Sequence, residues 1–580
     1  MSQGIIRSLD SFFLCDNIMP CLRKDNDMDK LKPKLFSVMK NYSGAQFAKD
    51  LVAGIIVAII ALPLSIALAI ASGVGPEAGV YTAIVAGFLV AFFGGSRVQI
   101  AGPTAAFATI VAGIVARDGT EGLMVATIMA GILLIVMGFC RFGNLLKYIP
   151  YTITTGFTAG IAVTLFIGQI KDFAGISYMH GEKPIETAEK IEALVANLNT
   201  TNFQAVAIGA LALAILIIWP KFFKKIPGSL IAVIVTAAIV KIFDLNVNTI
   251  GKAFQDIRTG LPVCTLNASL FSVSMMKSQV MNAVTIALLA GIESLLSAVV
   301  ADSMIGSKHR SNMELIAQGI GNIGSACFGG IPATGAIART AANIKSGGRT
   351  PIAGMVHSIM LVLVVVFLMP LAKLIPMPCI AAILFQVAYN MSGWRNFVKL
   401  CKSSPKSDIL VLVLTFGLTV IFDLVVAIEA GILLAAILFM KRMSDVTTVE
   451  GWKEVDDEND PDSITLRVIP EHTVVYEFSG PMFFAAAGKI LQISFKEDTK
   501  VLVIRMRSVS AMDATAMHNL EQLYDDCEKR GIKIVLSHVN EQPLHVIRKA
   551  GFEEKIGKEN FAPHIDDALK RAEAIVNQKG

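Results

Sequence analysis

Charged residues are scarce in this chain. They make up 17% of 580 residues, whereas a soluble protein carries about 25%. Apolar residues reach 54%. That deficit excludes an ordinary globular protein and points to a membrane class. Long basic runs are missing and the net charge is only +5, so nucleic acid is not an expected partner. The eight cysteines lack CxxC or Cys/His spacing, so no disulfide, metal site or cofactor is expected. Cys140, Cys327 and Cys379 lie in apolar stretches, where cysteine acts as a small hydrophobe. No secretory leader is expected either: the apolar stretch from Phe12 to Cys15 is bounded by Asp10 and Asp16 and is too short for one. No catalytic constellation is present, which argues against an enzyme.

What the chain does have is apolar runs, from about residue 51 to 440. Clear ones cover 51–72, 122–140, 281–301, 352–372 and 424–440, each approaching the ~20 residues that span a bilayer. With the weaker runs between them, roughly fourteen membrane segments are expected. Basic residues set the orientation. Arg97, Arg141, Lys221, Lys308, Arg310, Lys345, Arg349, Arg395, Lys399, Lys402 and Lys406 fall on one side, and the loop over 171–202 on the other is net acidic. Both termini are therefore expected in the cytoplasm. The expected divisions are a cytoplasmic N-terminal segment over 1–48, a membrane domain over 49–442, a polar linker over 443–462 and an α/β domain over 463–576. In that last domain strands are expected over 464–468, 473–478, 501–506 and 532–537. Helices are expected over 485–494, 513–529, 542–550 and 563–576, a βαβ alternation.

Two segments are poor membrane helices. One carries Gly102, Pro103 and Thr104; the other carries Gly329, Gly330, Pro332, Thr334, Gly335 and Arg339. Each puts Gly and Pro at the head of a short, small-residue helical stretch. By the segment count they are the third and the tenth, corresponding positions in two halves. Such a pair suggests an inverted repeat with its binding site at the breaks. A helix starting in mid-membrane has unpartnered amides and the positive end of its dipole there, and two such ends facing each other make an anion site. The competing reading is two Pro-kinked packing helices.

Charges within the apolar region are few. Arg339 lies about one turn into the second broken helix, and an intramembrane arginine is a functional candidate by default. It would add fixed positive charge to the anion site; otherwise it forms an ion pair or snorkels to the surface. Glu293 lies between apolar flanks and is a candidate for exchanging protons, coupling H+ to anion entry; otherwise it pairs statically with Arg339. Ser297 is four residues on and shares its helix face. Asp302 reads as interfacial, and His357 as packing. Pro63 should kink the first span, whose small residues would also let it wall the site.

With these residues in view, the chain resembles the SulP family, also called solute carrier family 26. The resemblance rests on Ala61, Leu62, Pro63 and Leu64, on Gly94 to Arg97 followed by Ala101 to Ala105, on Gly291 to Ser294, and on the stretch from Arg339 to Arg349. The C-terminal part resembles a STAS domain (sulfate transporter and anti-sigma factor antagonist). The resemblance implies a membrane all-α fold of about fourteen transmembrane segments in a seven-plus-seven inverted repeat, split into core and gate domains and typically homodimeric, with a small cytoplasmic α/β STAS domain. It implies an anion site at Leu64, Leu68, Thr104, Ala105, Ala106, Ile337, Ala338 and Arg339, where backbone amides matter more than most of these side chains. Sodium-coupled bicarbonate members resemble Asp-x-x-x-Thr in segment eight and Thr in segment ten. Here Glu293, Ser297 and Ile337 stand instead, which favours protons over sodium. The wording around Pro63 and Arg339 is similar to a bacterial branch associated with C4-dicarboxylates. Thr515 corresponds to a residue phosphorylated in soluble STAS relatives; the alternative is a plain helix start, capped by Asp513.

The expected function is proton-coupled uptake of a small oxyanion, sulfate or a C4-dicarboxylate, through the cell (inner) membrane by alternating access. The alternatives are a chloride or bicarbonate exchanger or channel on the same scaffold, and a membrane sensor signalling to a cytoplasmic protein partner through the STAS domain.

Overall fold

The computed structural model describes residues 31–144, 150–178, 184, 186–223, 227–254, 260–264, 266, 272–422, 424–451 and 467–578. The N-terminal segment up to residue 30, most of the expected linker and the first part of the strand expected over 464–468 lie outside the described residues. The chain divides into two compact units, 1–432 and 433–580.

The first unit is helical. Its elements are α1 (Gly44–Ala71), α2 (Pro76–Phe93), β1 (Ala101–Gly102), α3 (Ala105–Phe139), α4 (Tyr151–Ala174), α5 (Thr187–Ala196), α6 (Phe203–Phe222), α7 (Gly228–Ile242), α8 (Val273–Ile305) and α9 (Ser311–Cys327). After β2 (Thr334–Gly335) come α10 (Ile337–Lys345), α11 (Pro351–Ala372), α12 (Met377–Ser392), α13 (Trp394–Ser403), α14 (Lys406–Ile421) and α15 (Leu424–Val446), in which the division between the units falls. Six helices among the described residues are long and apolar enough to cross a membrane. α3 is broken at Gly119, whose φ of 70° is non-helical, so it comprises two helices. With the shorter helices, the arrangement is consistent with the expected count.

Two bundles form. In one, α9 packs on α3 and α2, α8 on α3, and α11 on α1 and α2. In the other, α4 packs on α12 and α14, and α6 on α12 and α7. Small residues set the closeness of the first bundle: a Cβ on Gly131 would lie 2.7 Å from the Gly319 carbonyl oxygen, and one on Gly319 2.5 Å from that of Gly131. In a membrane, where lipid offers no hydrophobic drive between helices, such close backbone approach supplies the packing energy.

The second unit is an α/β domain. Its sheet runs β3 (Thr448–Gly451), β4 (Thr473–Ser479), β5 (Val501–Ser508), β6 (Lys533–Ser537) and β7 (Phe561–Ala562). β3 pairs antiparallel with β4 and the rest are parallel. Alternation along β5 sorts the core. Leu502 and Ile504 face α16 (Ala514–Lys529) and α17 (Glu541–Lys549), while Val501 and Val503 face α18 (Ile565–Gln578). β3 lies in the stretch expected to be linker. Its β-branched Thr448 and Val449 suit a strand, and Thr447 Oγ1 donates to the Pro481 carbonyl at 2.9 Å to hold it there. The helix expected over 485–494 is only a short turn, Phe484–Ala487, followed by a 3-10 segment, Gly488–Gln492, as befits a glycine in mid-helix.

Candidate functional site

The chain leaves α2 at Phe93 and runs without helix through bends to Thr104; it leaves α9 at Cys327 and runs without helix, through a turn at Phe328 and Gly329, to Ala336. Non-helical backbone inside a helical bundle must find partners elsewhere, and polar side chains from neighbouring helices provide them. Glu314 Oε2 accepts from the amides of Gly95 (2.8 Å) and Ser96 (3.0 Å). Asn343 Nδ2 donates to the Val98 carbonyl at 2.9 Å, and Thr340 Oγ1 accepts from Ile100 N at 3.0 Å. On the second segment, Asn322 takes both ends of Ala333, its Nδ2 donating to the carbonyl and its Oδ1 accepting from the amide, each at 2.9 Å. Thr82 Oγ1 accepts from Ile331 N at 2.7 Å.

The two segments then meet. β1 pairs antiparallel with β2, Ala101 opposite Gly335 and Gly102 opposite Thr334, and Ala336 N donates to the Ile100 carbonyl at 2.9 Å. Ser294 of α8 pins the second strand: its hydroxyl accepts from Gly335 N at 3.1 Å and shares a 2.7 Å hydrogen bond with Thr334 Oγ1. Immediately after the strands, α3 begins at Ala105 and α10 at Ile337. Neither start is capped by its own side chain: Thr104 makes no cap bond and Ala336 has none to make. Two helix N-termini with unpartnered amides thus flank one short ladder, a ready arrangement for an anion.

Arg339 ties the two together. It is 1% exposed, and its Nη2 donates at 2.8 Å to the carbonyl of Pro103, one residue before the start of the other half-helix. Its Nε and Nη1 have no hydrogen-bond partner among the described residues. It neither snorkels nor pairs with Glu293. The absence of a side chain at Gly102 makes room for it, since a Cβ there would lie 2.4 Å from Nη1.

Glu293 sits at the first half-helix instead. Thr104 Oγ1 donates to its Oε2 at 2.9 Å, so the hydroxyl that would ordinarily cap α3 serves a carboxylate. Ser297 is buried and faces Thr340, Oγ to Oγ1 at 3.4 Å. Among the remaining expected positions, Ala105 and Ala106 are buried, and Ile337 and Ala338 are exposed, Ile337 to 45%. Leu68 and Ala105 share a buried apolar cluster with Leu64 packed against it. Ser294 and Thr334 fall within motifs read from the sequence but were given no site role there, and neither was Thr340. Polar residues at the breaks were the available signal, since a hydroxyl beside an interrupted helix is a natural partner for freed backbone groups.

In the second unit, Asp513 caps α16, accepting from Ala516 N at 2.9 Å, and also accepts from Phe484 N at 2.8 Å. Thr515 lies exposed in the first turn of that helix.

Comparison with known proteins bears on this geometry. The sequence model of the sulfate permease family matches residues 47–415, and that of the STAS domain matches residues 463–568. The putative sulfate transporter YvdB of Bacillus subtilis is 38% identical over 532 residues, covering 91% of this chain and 98% of that protein. The bicarbonate transporter BicA of a Picosynechococcus species is 32% identical over 543 residues, covering 90% and 94%. The solved transmembrane domain of a cyanobacterial BicA is 30% identical and superposes with a TM-score of 0.59 over 67% of this chain and 98% of that one. The murine solute carrier 26 family member A9 anion transporter, solved in its inward-facing state, shares the fold at 18% identity, with a TM-score of 0.83 and 98% of each chain covered. The chain is a multi-pass membrane transporter, not an enzyme: it belongs to the sulfate permease family and carries a C-terminal STAS domain.

Proposed function

We propose that this protein takes up a small oxyanion, sulfate first and a C4-dicarboxylate second, across the cell (inner) membrane by proton-coupled alternating access. The observation that carries this reading is the pair of uncapped half-helices flanking the β1–β2 ladder, with the unpaired charge of Arg339 set between them. An anion bound there would accept from the amides of Ala105, Ala106, Ile337 and Ala338, with the first bundle moving against the second to expose it to either side. Leu64 and Leu68 would wall the site. The putative assignment of YvdB to sulfate supports the first choice of cargo.

Proton coupling is assigned to Glu293. It is the one carboxylate bonded to a residue at a half-helix start, and no cation neutralises it among the described residues. A negative carboxylate beside an anion site repels the cargo; a protonated one does not, so anion and proton would enter together. Ser297 would act only by steadying α10 through Thr340. The excess of basic residues on one side supports a topology with both termini and the STAS domain in the cytoplasm and α5 outside. A homodimer is the expected assembly. The capping role of Asp513 supports a structural loop there, with Thr515 left accessible for modification or for a cytoplasmic partner.

The name of BicA favours a second reading, bicarbonate transport or exchange on the same scaffold. Radiolabelled sulfate, succinate and bicarbonate uptake into proteoliposomes, with and without an inward proton gradient, separates the two. Gradient-driven sulfate or succinate uptake is expected. Bicarbonate or chloride flux indifferent to the gradient would overturn the proton-coupled reading.

A further inference from the structure

Beyond the half-helix pair, the first unit holds two adjoining cavities of about 290 and 440 Å³. Both are lined by Thr109, Thr164 and Lys190. Thr109 is one turn beyond Ala105 along α3, and Arg117, which lines the larger cavity, three turns beyond. These are steps of about 6 and 18 Å at 1.5 Å per residue. The space therefore runs along α3 from near its start toward the Gly119 break. In the topology proposed above, that is the outer side.

The walls carry three cations, Lys171, Lys190 and Arg117, and two acids, Glu186 and Glu189. Lys190 belongs to α5, which is fixed to the bundle by buried Ala193 and Leu194. It is only partly exposed and forms no ion pair among the described residues. Burial pushes its ammonium pKa down and the neighbouring Glu189 offsets that in part. Lys171, at the end of α4, lies 4.3 Å from the centre of the Tyr178 ring and interacts with the neighbouring Asp172 carboxylate. Arg117 donates from Nε to the Gly113 carbonyl at 3.3 Å and forms no ion pair among the described residues. The two acids on the wall, Glu186 and Glu189, are engaged in the capping box of α5, each side chain accepting from backbone. Gln169, which lines the smaller cavity, is 5% exposed with an unpartnered Oε1. Turning its amide over would present an N–H to the same space.

With three cations to two acids on the walls, and both acids giving oxygens to backbone amides, the space is net positive. We infer that this space is an outer anion-recruitment site, in which Lys190 and Lys171, with Arg117 toward the mouth, hold a small hydrated oxyanion before it reaches the half-helices. The loop over 171–202 is net acidic in sequence, yet the side chains it turns into the cavity include Lys171 and Lys190. A focused positive field in a cleft raises local anion concentration and capture rate. This site would therefore lower KM with little effect on turnover. The inference rests on anion transport and on the proposed orientation.

The test uses the full-length protein. Reductive methylation of lysines, read by peptide mass spectrometry, is compared in sodium sulfate and in sodium gluconate of equal ionic strength. Sulfate is expected to slow modification of Lys190 at least threefold, and Lys171→Gln to remove that protection. Equal modification in both salts, and in bicarbonate, succinate and chloride, would overturn the site. Protection needs no transport, so its presence in a protein that moves none of these anions would overturn the transport reading and leave the site standing. In uptake assays Lys190→Gln is expected to raise KM for the transported anion about fivefold with kcat within twofold, and to flatten the dependence of capture on ionic strength. Lys190→Arg should restore both; an unchanged KM in Lys190→Gln would count against the site. The labelling of wild-type protein decides the matter if the glutamine variant fails to fold.

Discussion

The segments leading into α3 and into α10 follow the same course: non-helical chain held by side chains of neighbouring helices, one strand of a two-residue ladder, then a helix that starts without a side-chain cap. Their side chains differ. At the first break Thr104 turns its hydroxyl to Glu293, and the first two helical residues are buried alanines. At the second, Ile337 and Ala338 are exposed, and Arg339 reaches back across the ladder to the carbonyl of Pro103. The shared backbone supplies two dipole ends, which any small anion can use. In the proposed function the differing side chains would divide the remaining work: fixed positive charge from Arg339 at the second break, and a carboxylate, Glu293, proposed to take up a proton at the first. A repeat can thus stay symmetric where geometry matters and diverge where chemistry does.

The largest test of that division is Arg339→Gln. It keeps a donor near Pro103 but removes a charge that nothing neutralises among the described residues. A charged hydrogen bond contributes about 1.5–3 kcal/mol, so anion uptake should fall about 10- to 100-fold. Gradient dependence should persist in what remains, because Glu293 is untouched. If the loss were threefold or less, the arginine would be a packing residue and the dipole ends would suffice alone.

Glu293→Gln cuts the other way. Glutamine still accepts from Thr104, so the first break should keep its geometry, but it carries no exchangeable proton. Uptake driven by an inward proton gradient should drop to the rate without one, a loss of about tenfold, while equilibrium anion binding should change by about twofold or less. Isothermal titration beside proteoliposome flux reads both. Thr104→Val sits between these: it deletes one hydrogen bond of roughly 0.5–1.5 kcal/mol, so uptake should slow about two- to tenfold with gradient dependence weakened but present. A Glu293→Gln protein that still responded fully to the gradient would move proton coupling off the first break.

Much of this was legible in the sequence, and for identifiable reasons. Glycine and proline inside apolar runs mark broken helices because each removes something a membrane helix needs, so Gly102, Pro103 and Gly335 announced the breaks. Arg339 announced itself by the cost of its charge. The partner of Glu293 was not legible, because it depends on which face of α8 meets which break. Thr104 is 189 positions away from it, and no periodicity links them. Equally hidden was the role of Ser294. It stands beside Glu293 in sequence, but only the β1–β2 pairing gives its hydroxyl an amide to satisfy. In the second unit, short β-rich runs predicted β4, β5 and β6, whereas β3 is too short to stand out as one and is strand only because β4 lies alongside it.

The finest distinction falls between two serines on α8. Ser294 touches the ladder itself, accepting from Gly335 N at 3.1 Å and bonded to Thr334 Oγ1 at 2.7 Å. Ser297 reaches only Thr340 Oγ1, at 3.4 Å, and Thr340 already accepts from Ile100 N. Removing the first hydroxyl leaves a buried amide unsatisfied, at a cost of about 1–3 kcal/mol. It should loosen the second break alone. Removing the second forfeits one long contact. Ser294→Ala should therefore slow anion uptake about five- to tenfold, through weaker binding rather than weaker proton coupling. Ser297→Ala should change it less than about twofold. The same order should hold in thermal melting, with Ser294→Ala the less stable. Were Ser297→Ala the more damaging and its loss confined to gradient-driven uptake, the proton path would run along α8 toward α10, and the carboxylate at the first break would share its work with the second.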